Sequence, residues 1–161
     1  MRPEEAAARE AIRETLARYN HAGDRGRIEE LVRCFTPDGV LEIPGEPPQT
    51  GREAIRRRLA EVVAGSRARR AAGGAALVRH HVSSTSIELL GASEARARSY
   101  FLVLTEIGLD HWGQYRDHLV CVGGSWLLRH RRVLTEGASP SSRMVAPAPA
   151  PDDGGGRRGG G

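Results

Sequence analysis

The hydrophobic period of this chain changes once, at Leu77, and that change constrains the fold more than any other feature. Before it, apolar residues recur at helical spacing: Ile12, Leu16 and Tyr19, then Ile28, Leu31, Val32 and Phe35, then Ile55, Leu59, Val62 and Val63. After it, apolar and polar residues tend to alternate through segments near 77–90, 94–106, 112–122 and 125–134, separated by Gly91, Gly108 and Gly123-Gly124. Three amphipathic helices followed by a meander of long antiparallel strands predict an α+β domain with its helices on one face of a sheet. In the first long strand the apolar parity moves from Val78 and Val82 to Ile87 and Leu89. A bulge near Ser83-Ser84 accounts for the shift and bends the sheet around a cavity. Gly23-Asp24 separates the first two helices, and Thr50 and Glu53 read as a capping box that opens a third over about 51–64. Val40-Leu41-Glu42-Ile43 reads as a short strand closed by Pro44-Gly45, and 67–76 as a small-residue, arginine-rich loop.

Residues 137–161 are Gly, Pro, Ala and Ser with few apolar side chains, too little to offset their ordering entropy. The expected division is therefore one domain over 1–136 and a disordered tail over 137–161. No apolar run approaches the roughly twenty residues a membrane-crossing helix needs. The start, Met1-Arg2-Pro3-Glu4-Glu5, passes straight into an Ala/Arg/Glu pattern without an apolar signal core, so a cytoplasmic protein is expected. Cys34 and Cys121 stand far apart with no second pair, which argues against a disulfide scaffold or a zinc knuckle. All 24 basic residues are arginine, which excludes a lysine Schiff base and a phosphate-loop lysine. The net charge of +4 and pI near 9.8 come from arginines interleaved with 20 carboxylates. That pattern fits a solvated mixed-charge surface rather than a nucleic-acid interface.

Six polar residues stand where chemistry is possible: Tyr19, Asp24, His80, Tyr115, Asp117 and Arg129. Tyr19 lies on the apolar stripe of the first helix, so its hydroxyl points inward, toward either a backbone carbonyl or a ligand. Asp24 precedes the second helix and serves either as its N-cap or as a partner for another side chain. His80 and His81 point to opposite sheet faces and cannot chelate one metal together. His80 shares parity with Val78 and Val82 and is the inward one. In the third long strand Tyr115, Asp117, Leu119 and Cys121 share a face, so Asp117 needs a donor if buried. Arg129, in parity with Leu127 and Val133, is the expected donor.

These positions belong to longer runs. Tyr19-Asn20-His21-Ala22-Gly23-Asp24-Arg25-Gly26-Arg27, then Cys34-Phe35-Thr36-Pro37-Asp38-Gly39 and Gly51-Arg52-Glu53-Ala54-Ile55, resemble the SnoaL-like branch of the nuclear transport factor two-like superfamily. Arg79-His80-His81-Val82-Ser83-Ser84, Gly113-Gln114-Tyr115-Arg116-Asp117 and Gly124-Ser125-Trp126 extend the resemblance over about 8–134. It implies a cone-shaped curved antiparallel sheet packed by three N-terminal helices around an apolar pocket. It also implies dehydratases, dehydrochlorinases, ketosteroid isomerases, polyketide cyclases and epoxide hydrolases, alongside members with no catalysis. In the lyase branch an aspartate at the second helix orients a histidine on the first long strand; those positions match Asp24 and His80, and a tyrosine five residues before the aspartate matches Tyr19. The base of ketosteroid isomerase falls at about Ile43 and is lost here, whereas its proton-bearing acid falls at Asp117. Ser84 stands where the family often has asparagine.

The resemblance thus implies a lyase of dehydratase type. Asp24 holds one tautomer of His80, His80 takes a proton beside a carbonyl, Tyr19 donates, and Tyr115, Asp117 and Arg129 bind the substrate. The expected substrate is a small, apolar, carbonyl-bearing or polycyclic metabolite, with no metal or organic cofactor, no nucleic acid and no membrane, and the chain is expected to be a homodimer. Two alternatives remain open: a cyclase or isomerase using the same pocket, and a non-catalytic ligand-binding module.

Overall fold

The computed structural model describes residues 2–71, 77–142 and 144–145. It begins with α1 (Pro3–Asp24), whose buried stripe is Ile12, Thr15, Leu16, Tyr19, Asn20 and Ala22. A short α2 (Ile28–Val32) leads into β1 (Phe35–Glu42) and β2 (Gln49–Thr50), and α3 (Arg52–Ala71) follows. The rest is a meander of β3 (Arg79–Leu89), β4 (Glu94–Thr105), β5 (Gly108–Val122) and β6 (Ser125–Ala138). The strands form one curved, unclosed six-stranded sheet in the order β2-β1-β6-β5-β4-β3. Among the described residues no helix is long and apolar enough to cross a membrane.

The expected α+β cone is the fold observed, with differences that have physical causes. Phe35 does not continue the second helix. The Leu128 amide donates to the Cys34 carbonyl at 2.8 Å and Phe35 pairs with Leu128, so β6 draws the chain into the ladder after five helical residues. That pairing is parallel, because β1 runs alongside β6 rather than forming a hairpin with it. The third helix extends through Ala71, beyond the expected end near residue 64, since its arginine-rich continuation contains good helix formers. Its first carbonyl is that of Gly51, which accepts from Ile55 at 3.1 Å. Residues 72–76, expected as loop, lie outside the described residues.

The core fills the space between α1 and the concave face of the sheet, with Ile12, Leu16, Phe35, Leu41, Ile55, Leu119 and Leu128 almost fully buried. A smaller cluster of Phe101, Val103 and Tyr115, packed by Val78, Val82, Val133 and Met144, occupies the other end of that face. The bulge expected at Ser83-Ser84 is present: the β3–β4 register slips between Ser83 and Ser86, and Ser84 takes φ 51°. Another slip lies beside Gly113, where an added Cβ would sit 1.9 Å from the Leu134 carbonyl oxygen, so only glycine lets β5 and β6 approach there.

Strand β6 and its contacts run past residue 136. Gly137 and Ala138 are still in β6, the Ser139 amide donates to the Asp110 carbonyl at 2.7 Å, and Met144 packs on the Phe101 cluster. Residues 143 and 146–161 of the expected tail lie outside the described residues.

Candidate active site

Asp24 is the last residue of α1, and the residue capping α2 is Arg27, so the N-cap alternative does not hold. The end of α1 meets the start of β3. Asp24 Oδ1 lies 2.6 Å from His80 Nδ1, and the His80 backbone N–H donates to both carboxylate oxygens at 3.2 Å. The Asp24 side chain is 8% exposed and that of His80 20%. A carboxylate accepting from Nδ1–H fixes one imidazole tautomer and leaves Nε2 as a lone-pair base. His80 faces the concave side, as its shared parity with Val82 requires.

Asp117 is buried, and its donor is Arg131 rather than Arg129. Arg131 Nε and Nη2 each donate to one Asp117 oxygen at 2.8 Å, and neither side chain reaches solvent. The expected Arg129 contact fails because of a bulge: His118 pairs with His130 but Leu119 with Leu128, so one extra β6 residue is inserted and the inward parity moves. Arg129 turns outward instead, half exposed, to an ion pair with Asp38 at 2.7 Å.

Tyr19 and Tyr115 enclose the Arg131 guanidinium, each ring centroid 4.1 Å from its central carbon. Tyr115 also stacks on Phe101, with centroids 4.6 Å apart. Tyr115 thus faces the cone interior. Burial pushes both tyrosine hydroxyls above their ordinary pKa, with Arg131 opposing, so both remain protonated. Burial acts against the charge on Arg131, but Asp117 more than restores it and the guanidinium stays cationic. Among the described residues, Arg131 Nη1 and Ser99 Oγ of this wall have no hydrogen-bond partner, and Ser99 lies across the ladder from Tyr115.

The structure therefore brings Tyr19, Asp24, His80, Tyr115 and Asp117 onto the inner surface and removes Arg129 from it. It adds Arg131, which the adjacent arginines 131 and 132 left ambiguous, and a second acid–imidazole pair, Asp110 and His111. A separate groove of about 630 Å³, lined by Gly26, Ile28, Ala60, Val63 and Ala64 among others, contains none of the expected site residues. Among the described residues no group of three or more His, Cys, Asp or Glu side chains is placed to hold a metal.

A cone-shaped, curved sheet packed by N-terminal helices defines a class of small α+β proteins. The chain belongs within it to the SnoaL-like domain family, whose profile matches residues 4–132. Similar solved structures agree. A Catenulispora acidiphila protein in complex with S-DNPA is 34% identical, with a TM-score of 0.65, covering 81% of this chain and 94% of its own. A Novosphingobium aromaticivorans NTF2-like protein with a cystatin-like fold is 25% identical, with a TM-score of 0.68, covering 84% of this chain and 86% of its own. A protein of the same organism, provisionally assigned as a scytalone dehydratase, shares the fold at 23% identity and a TM-score of 0.73, covering 94% of this chain and 100% of its own. Comparison with curated proteins returns no match.

Proposed function

We propose that this chain is a cofactor-independent lyase of dehydratase type, acting on a small apolar, carbonyl-bearing or polycyclic compound. The observation that carries the reading is the 2.6 Å contact between Asp24 and His80 on the concave face. Elimination beside a carbonyl begins with removal of a carbon-bound proton, and His80 Nε2 is the base. As the C–H bond breaks, charge moves onto the carbonyl oxygen as an enolate. The buried Arg131 cation, enclosed by the two tyrosine rings, supplies opposing charge from behind that wall. The leaving group then departs with the electron pair, and Tyr19, held protonated by burial, can donate to it. Asp117 keeps Arg131 in place. The Catenulispora relative, in complex with S-DNPA, supports a small-molecule occupant for this fold.

The test uses 5-nitro-1,2-benzisoxazole, whose ring opens on C–H abstraction alone and so reports an active base without knowledge of the natural substrate. Wild type should open it with saturable kinetics. Asp24→Asn and His80→Ala should each reduce the rate by about 10²–10⁴-fold, the usual contribution of a positioned base, with unchanged circular dichroism. Equal rates in wild type and either variant reject the reading.

A further inference from the structure

Two strands away from the Asp24–His80 contact, in the same sheet row, lies a second imidazole. His80 pairs with Val103 in the β3–β4 ladder, and Val103 pairs with His111 in the β4–β5 ladder. All three residues face the concave side, so the two histidines flank Val103 with Cα atoms about 10 Å apart, two strand spacings. The register slips between Val103 and Leu104, which makes Asp110 an inserted residue and buries both Asp110 and His111. His111 Nδ1 lies 2.8 Å from Asp110 Oδ1. Thr105 and Ser142 hydroxyls also donate to the Asp110 carboxylate, at 3.3 and 2.6 Å, so its oxygens are held as acceptors and the ring nitrogen facing them carries the hydrogen.

That arrangement leaves Nε2 as the free nitrogen of a ring whose side chain is 9% exposed, with no partner among the described residues. The ring stands edge-on to Phe101 at 5.9 Å, and the wall around it is apolar. Burial lowers the pKa of His111, and the hydrogen bond and charge of Asp110 only partly oppose it. The imidazole is consequently neutral at pH 7, and Nε2 is an acceptor in search of a donor.

We propose that His111 is a specificity-determining residue on the same concave face as His80, and that its Nε2 accepts a hydrogen bond from a phenolic or enolic hydroxyl of the substrate. The proposal rests on the lyase reading for that face and narrows its substrate class. From His111 to Tyr115, which lies against Arg131, the strand rises about 13 Å over four residues. A bicyclic or tricyclic hydroxylated carbonyl compound spans that distance, with its hydroxyl on His111, its carbonyl toward Arg131 and its acidic C–H toward His80.

The experiment measures binding of 2-naphthol and 2-methoxynaphthalene at pH 7, with His111→Phe and His80→Ala beside wild type. Wild type and His80→Ala should bind the naphthol at least tenfold more tightly than the ether, which has no proton to donate, and His111→Phe should bind the two alike. In ¹⁵N-histidine spectra of wild type, the naphthol should move the His111 Nε2 resonance and the ether should not, which keeps the test independent of how the variant folds. Equal binding of both probes to wild type, or a preference that survives in His111→Phe, overturns the role of His111 alone. Failure of both probes to bind wild type overturns substrate binding on that face and the lyase reading with it.

Discussion

The most severe substitution the site offers is Asp117→Ala. It removes both 2.8 Å acceptors of a guanidinium with no solvent exposure, whose third nitrogen has no partner among the described residues. Breaking such a buried pair from one side leaves an uncompensated charge and costs about 3–5 kcal/mol, whereas replacing both members with apolar side chains is often neutral or stabilising. Contact with the Tyr19 and Tyr115 rings, worth about 2 kcal/mol for a desolvated cation, remains in the single variant and limits its loss. For a domain of this size about 3–4 °C is lost per kcal/mol, so Asp117→Ala should melt roughly 10–15 °C below wild type. Asp117→Leu combined with Arg131→Met should recover most of that loss. Thermal melts and urea titrations with matched m-values give both numbers. A single variant costing under about 1 kcal/mol, or a double variant no better than the single, would show that Arg131 is not held as a buried ion pair.

Two further outcomes follow from the second acid–imidazole pair and its strap. Because the folded pKa of His111 lies below its unfolded value, the unfolded chain binds more protons between the two, so stability should fall as pH drops below about 6.5. His111→Phe should flatten the melting temperature across that interval, and an unchanged slope would contradict the assignment. Ending the chain after residue 145 should leave the melting temperature as it is. Ending it after Ala138 removes the Ser139 and Ser142 bonds to Asp110 and the packing of Met144, a loss of roughly 1–3 kcal/mol, and an unaltered melt would show that this segment does not pack.

Burial made the main architecture legible, and local insertions hid the rest. Strand parity alone identified His80 as inward, because a residue between Val78 and Val82 must share their face. Parity failed wherever a strand carried an extra residue, since one insertion reverses every assignment beyond it. The Ser83-Ser84 bulge betrayed itself by shifting the apolar residues around it. The β6 bulge did not, because the residues about it, Arg129, His130, Arg131 and Arg132, are all polar, and the charged row gives no sign of which arginine is buried. Asp110 and His111 were hidden for the same reason: consecutive residues of a regular strand cannot both face inward, and only the insertion permits it. The parallel pairing of β1 with β6 depends on contacts between the ends of the domain, which no local period records.

The position of Asp24 separates what the fold needs from what the site needs. A carboxylate in the last turn of a helix faces the negative end of its dipole, a placement that costs about 0.3–1 kcal/mol. An asparagine or glycine would end α1 there at less cost. Among the described residues, His80 compensates the charge through its ring and its backbone N–H, and that contact ties α1 to β3. Two opposing changes therefore accompany the Asp24→Asn variant used to test the base: relief of the dipole conflict and loss of a charge-assisted bond. Its stability should remain within about 1 kcal/mol of wild type while its rate with the benzisoxazole collapses. A carboxylate whose removal is nearly neutral for folding and ruinous for proton abstraction is held at that helix end for its chemistry. If rate and stability fell together instead, Asp24 would be a clasp between α1 and β3, and the histidine beside it one more buried side chain.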